Sequence, residues 1–317
     1  MRRLIRIFVL YVVFPAGIVA TAAILWLRWD AGRPLESWFD ERQGSFRSAQ
    51  EIDVQVADSQ RASFMTIASS SGLVARARVI RPDVFEAGLP VLIVLGGHRT
   101  GSDAVDLFGP VGEKVVVALD YPYDGPEKVR GLSQIIDTLP LARQAFRDTP
   151  PAVSLVVDWL IDQPWVDSDQ IVIIGASLGV PFATLAAARD PRISGALLVH
   201  GAADNLAWLE TQVARRNEEK ILHRPLATLI HWAAYGPTFD TARNVATISP
   251  RPVVVIGARA DERTPAEQTQ ALFDAAREPK ILRWTEGQHV QPNRPDIIAE
   301  LLSIADEVLP FPPQADR

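Results

Sequence analysis

The chain has 317 residues, 48% of them hydrophobic and 22% charged, enough for one large α/β domain with an appendage and far from the composition of a disordered segment. A net charge of −6, with 32 Lys and Arg against 38 Asp and Glu, offers nucleic acid no basic face. The absence of cysteine excludes disulfides, thiolate metal sites and a cysteine nucleophile, and neither phosphate-cradling pattern, G-x-x-x-x-G-K-[ST] or G-x-G-x-x-G, occurs.

Residues 7–27 contain no charge, and at about 1.5 Å per residue they reach about 31 Å, close to the hydrocarbon thickness of a bilayer. Arg2, Arg3 and Arg6 precede this run, and Trp26 and Trp29 stand where an interfacial aromatic belt would be. The pattern predicts a membrane anchor within residues 1–30, a transmembrane helix with the rest of the chain extracytoplasmic. A cleaved signal peptide ending at Ala20-Thr21-Ala22 is the competing reading. Residues 31–49, mixed charged and polar, read as a tether to a domain over 50–311.

Ile52, Val54 and Val56, then Phe64, Thr66 and Ala68, then Leu73, Ala75, Ala77 and Val79 recur with period two. They predict antiparallel leading strands, the last two joined by a hairpin at Ser69-Ser70-Ser71-Gly72. Continuous apolar runs at 91–95 and 115–119 predict buried parallel strands, with a helical crossover in the segment between them. Residues 133–163 carry helical periodicity broken at Pro150-Pro151, with Val153, Val156, Val157, Leu160 and Ile161 as the apolar stripe. Further buried strands follow at 195–199 and 253–256, and 281–284 reads as the last strand. The segment 202–249 is too long for a simple connection and reads as a helical lid; its Trp208, Trp232, Tyr235 and Phe239 favour an apolar acyl or alcohol group in whatever it covers.

The chemistry concentrates at Gly175-Ala176-Ser177-Leu178-Gly179. The run Ile171–Ile174 before it reads as a strand, and Leu178, Val180, Phe182, Leu185 and Ala186 after it have helical spacing, so Ser177 sits on a strand-to-helix turn. Such a turn strains the backbone, and glycines at 175 and 179 remove the Cβ atoms that would clash there. The following helix aims its N–H groups and positive dipole end at the hydroxyl. A serine nucleophile needs a base, and the base needs an acid. Of the five histidines, His289 in Glu286-Gly287-Gln288-His289 follows the last strand, whereas His223 and His231 fall in the lid. Asp261 stands just beyond the strand at 253–256, with Glu262 as the alternative acid. The loop Gly96-Gly97-His98-Arg99-Thr100-Gly101 ends a buried strand, where ligands bind in open α/β sheets. The N–H groups of His98 and Leu178 are the candidate oxyanion hole, and Gly97, Arg99 and His200 the candidate substrate contacts.

Together GASLG at 175–179, GGHRTG at 96–101, GARADERTP at 257–265 and EGQHV at 286–290 resemble the α/β-hydrolase superfamily over about residues 50–310. The leading strands and the double-glycine loop are most similar to its dienelactone-hydrolase, acetyl-esterase and prolyl-oligopeptidase-like branch, and depart from the HGGG loop of many lipases. The resemblance implies a mostly parallel twisted sheet with antiparallel leading strands, helices on both faces and a helical lid insertion. It also implies a serine hydrolase that cleaves a small-molecule carboxylic ester through Ser177, His289 and Asp261, with no metal or organic cofactor. Peptidase or acyltransferase chemistry on the same residues, and a non-catalytic membrane-tethered binding module, are the other readings; no motif fixes the oligomeric state.

Overall fold

Alternating sequence builds the first edge of the sheet, and continuous apolar sequence builds its centre. In the computed structural model, which describes residues 9–55, 59–86, 88–97, 100–126 and 128–309, β1 (Phe46–Gln55), β2 (Gln60–Ser69) and β3 (Val74–Pro82) run antiparallel. The β2–β3 hairpin turns through Gly72 at φ +81°, an angle that costs glycine nothing because it has no Cβ. The apolar runs follow as β4 (Leu89–Leu95), β5 (Val115–Leu119), β6 (Val166–Ala176), β7 (Gly195–Val199), β8 (Val253–Ala258) and β9 (Lys280–Thr285). These six are parallel, and β3 joins them antiparallel to β5, giving a nine-stranded sheet in the order β1-β2-β3-β5-β4-β6-β7-β8-β9.

The helices are α1 (Phe14–Ala31), α2 (Glu36–Gln43), α3 (Gly131–Leu160), α4 (Gly179–Arg189), α5 (Asn205–Ala214), α6 (Lys220–Ala233), α7 (Thr241–Val245), α8 (Ala266–Ala275) and α9 (Pro295–Val308). Because successive strand side chains point to opposite faces, β4 sends Val91, Ile93 and Leu95 into a core with Val156 and Leu160 of α3 and Val180 of α4. Its Leu92 and Val94 face a second core with Leu301 and Ala305 of α9.

Several sequence expectations are corrected. Among the described residues the β4–β5 crossover contains no α-helix, only the 3-10 turn Ser102–Leu107, because Gly109 and Gly112, both at φ +59°, bracket Pro110-Val111 and end any helix there. Conversely α3 runs unbroken through Pro140, Pro150 and Pro151. Each proline removes a backbone donor, but tertiary ties on both sides hold the helix: Arg143 to Asp30, Arg42 to Asp148 with N–O distances of 2.9 and 2.7 Å, and the buried Ala152, Val153 and Val156 beyond.

Residues 31–49 are not a loose tether. Leu35 and Phe39 are buried against the main core, and Arg42 forks onto Asp148, so α2 is part of the domain. The end of α1 is built in as well: the buried Asp30 accepts from Arg143 and, at 3.1 Å, from the Tyr235 hydroxyl, while Arg143 donates to the Ala233 carbonyl at 2.9 Å. The transmembrane helix expected over 7–27 is not supported. Among the described residues no helix is long and apolar enough to cross a membrane; α1 ends in charged Arg28 and Asp30, and residues 1–8 lie outside the described residues. Phe14, Ile18, Trp26 and Trp29 of α1 are nonetheless exposed.

Candidate active site

Ser177 stands between β6 and α4 with φ +53°, the strained left-handed angle that a strand-to-helix turn of this sharpness imposes on a non-glycine residue. Its N–H donates to the Val199 carbonyl at 2.8 Å, fixing the turn against β7. The two flanking glycines are required by close approach. A Cβ on Gly179 would lie 2.1 Å from the Leu95 carbonyl oxygen, and one on Gly175 2.7 Å from the Ala183 Cβ. Leu178 caps the start of α4, so its N–H is one of the helix's unpaired first-turn donors beside Ser177.

The structure brings Ser177, His289 and Asp261 together. His289 Nε2 lies 2.7 Å from Ser177 Oγ, and Nδ1 lies 2.9 and 2.8 Å from the two Asp261 oxygens. Asp261 Oδ1 is itself held by the N–H groups of Arg263 at 2.7 Å and Thr264 at 2.8 Å. His289 is buried, so this chain of hydrogen bonds is shielded from water on the imidazole. Glu262 does not compete for the ring: its carboxylate accepts from the His289 backbone N–H at 3.0 Å and from Arg294 at 3.0 Å, and Arg294 also reaches the His289 carbonyl at 2.7 Å. Burial acts to raise the Glu262 carboxyl, but the N–H of His289, its own backbone N–H and Arg294 outweigh it and hold it down to about 2. Glu262 is thus a charged brace on the loop that carries His289.

The 96–101 loop is shaped from beneath. Tyr121 donates to the Gly96 carbonyl at 2.7 Å, with burial pushing its phenol upward so that it stays a donor, and Asp120 Oδ1 accepts from the Ser102 N–H at 2.7 Å. A Cβ on Gly101 would sit 2.3 Å from that same Asp120 oxygen, and one on Gly97 3.5 Å from the Ser177 Cβ. His98 and Arg99, named from the sequence as oxyanion donor and substrate contact, lie outside the described residues. Sequence reading passed over Asp120 and Tyr121, although Asp120 follows an apolar strand just as Asp261 follows β8.

His200 is not at the substrate opening. It is buried at the end of β7 at φ +53°, its Nδ1 accepting from the Val290 N–H at 2.9 Å and lying 3.7 Å from Asp261 Oδ2, with its ring 5.5 Å from that of His289. It backs the pair that Ser177 faces. His200, Asp261 and His289 have donor atoms within 4.8 Å of one another, a spacing that metal ligands use, but His289 Nδ1 and Asp261 already engage each other and His200 Nδ1 is taken by Val290.

Burial pushes the His200 imidazole down to about 4, with Asp261 pulling it up and His289 down. A histidine unfolded near 6.5 and depressed in the fold contributes stability that is whole above about pH 6.5 and is lost as pH falls through 6.5 toward 4. Unfolding free energy from urea titrations should therefore drop by on the order of 3 kcal/mol between these limits. His200→Asn, which can accept from Val290 and tolerates a positive φ, should flatten that drop. An equal drop in both proteins would disprove the assignment.

Ser177 and Gly97 open onto a cavity of about 320 Å³ whose lining includes Val94, Ile174, Leu197, Leu301 and, as its single charged member among the described residues, Arg263. No residue of the 202–249 lid lines it. The lid aromatics therefore say nothing about this cavity: Tyr235 and Phe239 pack in the core on the opposite sheet face.

A family model, the prolyl oligopeptidase family of S9 peptidases, matches residues 146–291, a span that contains Ser177, Asp261 and His289. A search of curated proteins finds no match. Among solved structures, the acetyl xylan esterase from Paenibacillus sp. R4 is similar with a TM-score of 0.63 and 15% identity, covering 85% of this chain and 94% of its own. Acetyl xylan esterase 1 from Thermoanaerobacterium sp. JW/SL YS485 has a TM-score of 0.60 and 17% identity, covering 88% and 97%. A cold-adapted esterase from an Arctic intertidal metagenomic library has a TM-score of 0.55 and 17% identity, covering 82% and 99%. At these identities the likeness is one of fold.

Proposed function

We propose that this chain is a serine hydrolase of the α/β-hydrolase type that cleaves a carboxylic ester through an acyl-enzyme on Ser177. The observation that carries this reading is the continuous hydrogen-bond chain from Ser177 Oγ through His289 to Asp261. His289 Nε2 takes the hydroxyl proton as Oγ bonds to the ester carbonyl carbon, and Asp261 keeps the imidazole in the tautomer that can accept it. The developing oxyanion is met by the N–H of Leu178 and, in this reading, by that of His98, each donor lowering the barrier by about 2.7–4 kcal/mol. The proton then passes to the leaving alkoxide as the C–O bond breaks. Water repeats the sequence with His289 as base, releasing the carboxylic acid and free Ser177.

The family match favours peptide-bond cleavage as a second reading. Against it, the described residues lining the cavity beside Ser177 include no carboxylate to hold a substrate amine. Membrane attachment through the exposed apolar side chains of α1, with the domain on the extracytoplasmic side, completes the proposal.

Fluorophosphonate labelling of the full chain in fractionated cells tests both parts. A labelled band should appear in the membrane fraction, survive an alkaline wash, and vanish in Ser177→Ala and His289→Ala. A folded parent that takes no label overturns the hydrolase reading, and label confined to the soluble fraction overturns the attachment.

A further inference from the structure

The two faces of the sheet are covered unequally. Helices α3, α4 and α8 pack on one face of the parallel strands. The other face, over β4, β6 and β7, is covered among the described residues by the 3-10 turn Ser102–Leu107 and by α9. A full crossover helix after β4 would fill the space between them; a single 3-10 turn does not. The gap is the cavity that opens at Ser177. Its floor is Val94, Ile174, Leu197 and Val199, all side chains on one sheet face. Leu301 and Ala305 of α9 form the roof, and Phe108 closes the side left by the short turn.

Its dimensions say what could occupy it. An apolar cavity of ~150 Å³ stays dry and takes a benzene ring, so about 320 Å³ has room for roughly ten carbon atoms. The lining runs along α9 from Ile298 to Ala305, on the order of 10 Å of helix, while on the sheet it steps back from Val199 to Leu197. The space therefore leads away from Ser177 rather than widening around it.

The geometry points to an acyl-binding site for a linear chain of roughly eight to ten carbons, an inference that rests on the ester-hydrolase reading and makes the preferred substrates medium-chain esters rather than acetyl esters. Each methylene drawn from water into the cavity should raise kcat/KM about fourfold, so octanoyl should exceed acetyl by on the order of 10³. Beyond the capacity of the cavity the gain should stop.

Two measurements test this on the full chain in detergent. In the first, kcat/KM is taken for p-nitrophenyl esters from acetyl to dodecanoyl. The octanoyl-to-acetyl ratio should be on the order of 10³ in the parent and fall at least tenfold in Ala305→Phe, which fills the far end. Leu302→Trp, at a half-buried position of the same wall, gives the same reading if the first variant does not fold. In the second, decanoate binding to Ser177→Ala is followed by calorimetry, so that the cavity is read without turnover; saturable binding that is lost in Ser177→Ala/Ala305→Phe or Ser177→Ala/Leu302→Trp supports the site. An acetyl preference in an active parent, or no decanoate binding by folded Ser177→Ala, overturns it. Decanoate binding in a chain that turns over no ester would leave the cavity standing and remove the hydrolase reading instead.

Discussion

Asp261→Asn is expected to lower kcat about 10⁴-fold while the fold stays intact. Asp261 Oδ1 accepts from the backbone N–H groups of Arg263 and Thr264, so an asparagine would keep its carbonyl oxygen on those two donors. Its amide nitrogen would then face His289 Nδ1, now 2.8 Å from Asp261 Oδ2. A donor in that place makes Nδ1 the acceptor and puts the ring proton on Nε2, which can no longer take a proton from Ser177. Because the three residues act as a unit, combining Asp261→Asn with Ser177→Ala should add little to Ser177→Ala alone. Steady-state kinetics on any accepted ester, with near-UV dichroism to verify folding, provide the check. A rate within tenfold of the parent would mean that another acid serves His289.

The second large effect is structural. Gly179→Ala should cost about 3 kcal/mol or more and abolish activity, because its Cβ would lie 2.1 Å from the Leu95 carbonyl oxygen, 2.8 Å from the Leu95 carbonyl carbon and 3.0 Å from the Gly96 oxygen. All three are backbone atoms of the strand end that carries the 96–101 loop, so no side-chain rotation relieves the clash. Relief requires α4 to back away from β4, and that moves Ser177, the Leu178 N–H and the loop together. Gly17→Ala in α1 is the contrasting case: its Cβ meets nothing within 4 Å, and exchanging glycine for alanine inside a helix is favourable by roughly 0.5–1 kcal/mol. Urea midpoints and turnover of the two variants against the parent decide it. A Gly179→Ala protein with the parent's midpoint would show that the close contact is relieved some other way.

What could be read from the sequence was what a local pattern determines. Buried strands betray themselves as continuous apolar runs, and β4 to β8 lie at the runs singled out. The turn at Ser177 needed only two glycines between a strand and a helix. His289 and Asp261 followed from their places after strands, and the structure sets them within hydrogen-bond reach of each other. What depended on tertiary balance was not legible. Pro150 and Pro151 carry a local signal to end a helix, and only packing on both sides of them keeps α3 continuous. Residues 31–49 look polar enough for a tether because the charges that tie them down, Arg42 to Asp148 and Asp40 to Arg189, have partners more than 100 residues away. The cavity was invisible for a related reason: it is a shortage of helix on one sheet face, and a missing volume leaves no periodicity. His200 shows the limit within the site, since a histidine at the end of β7 has the same sequence context whether it faces substrate or backs Asp261.

The junction at Asp30 turns α1 from a leash into a rigid mount. A chain leaving a domain through a flexible linker lets the domain tumble; here the exit is closed by a buried acid shared between Arg143 of α3 and Tyr235 beyond α6. Phe146, one turn further along α3, lies 5.3 Å from Phe182 on the helix that begins beside Ser177. An attachment through the exposed part of α1, as proposed above, would therefore set the compass bearing of the serine and of the cavity mouth, and with it the direction from which an ester would approach.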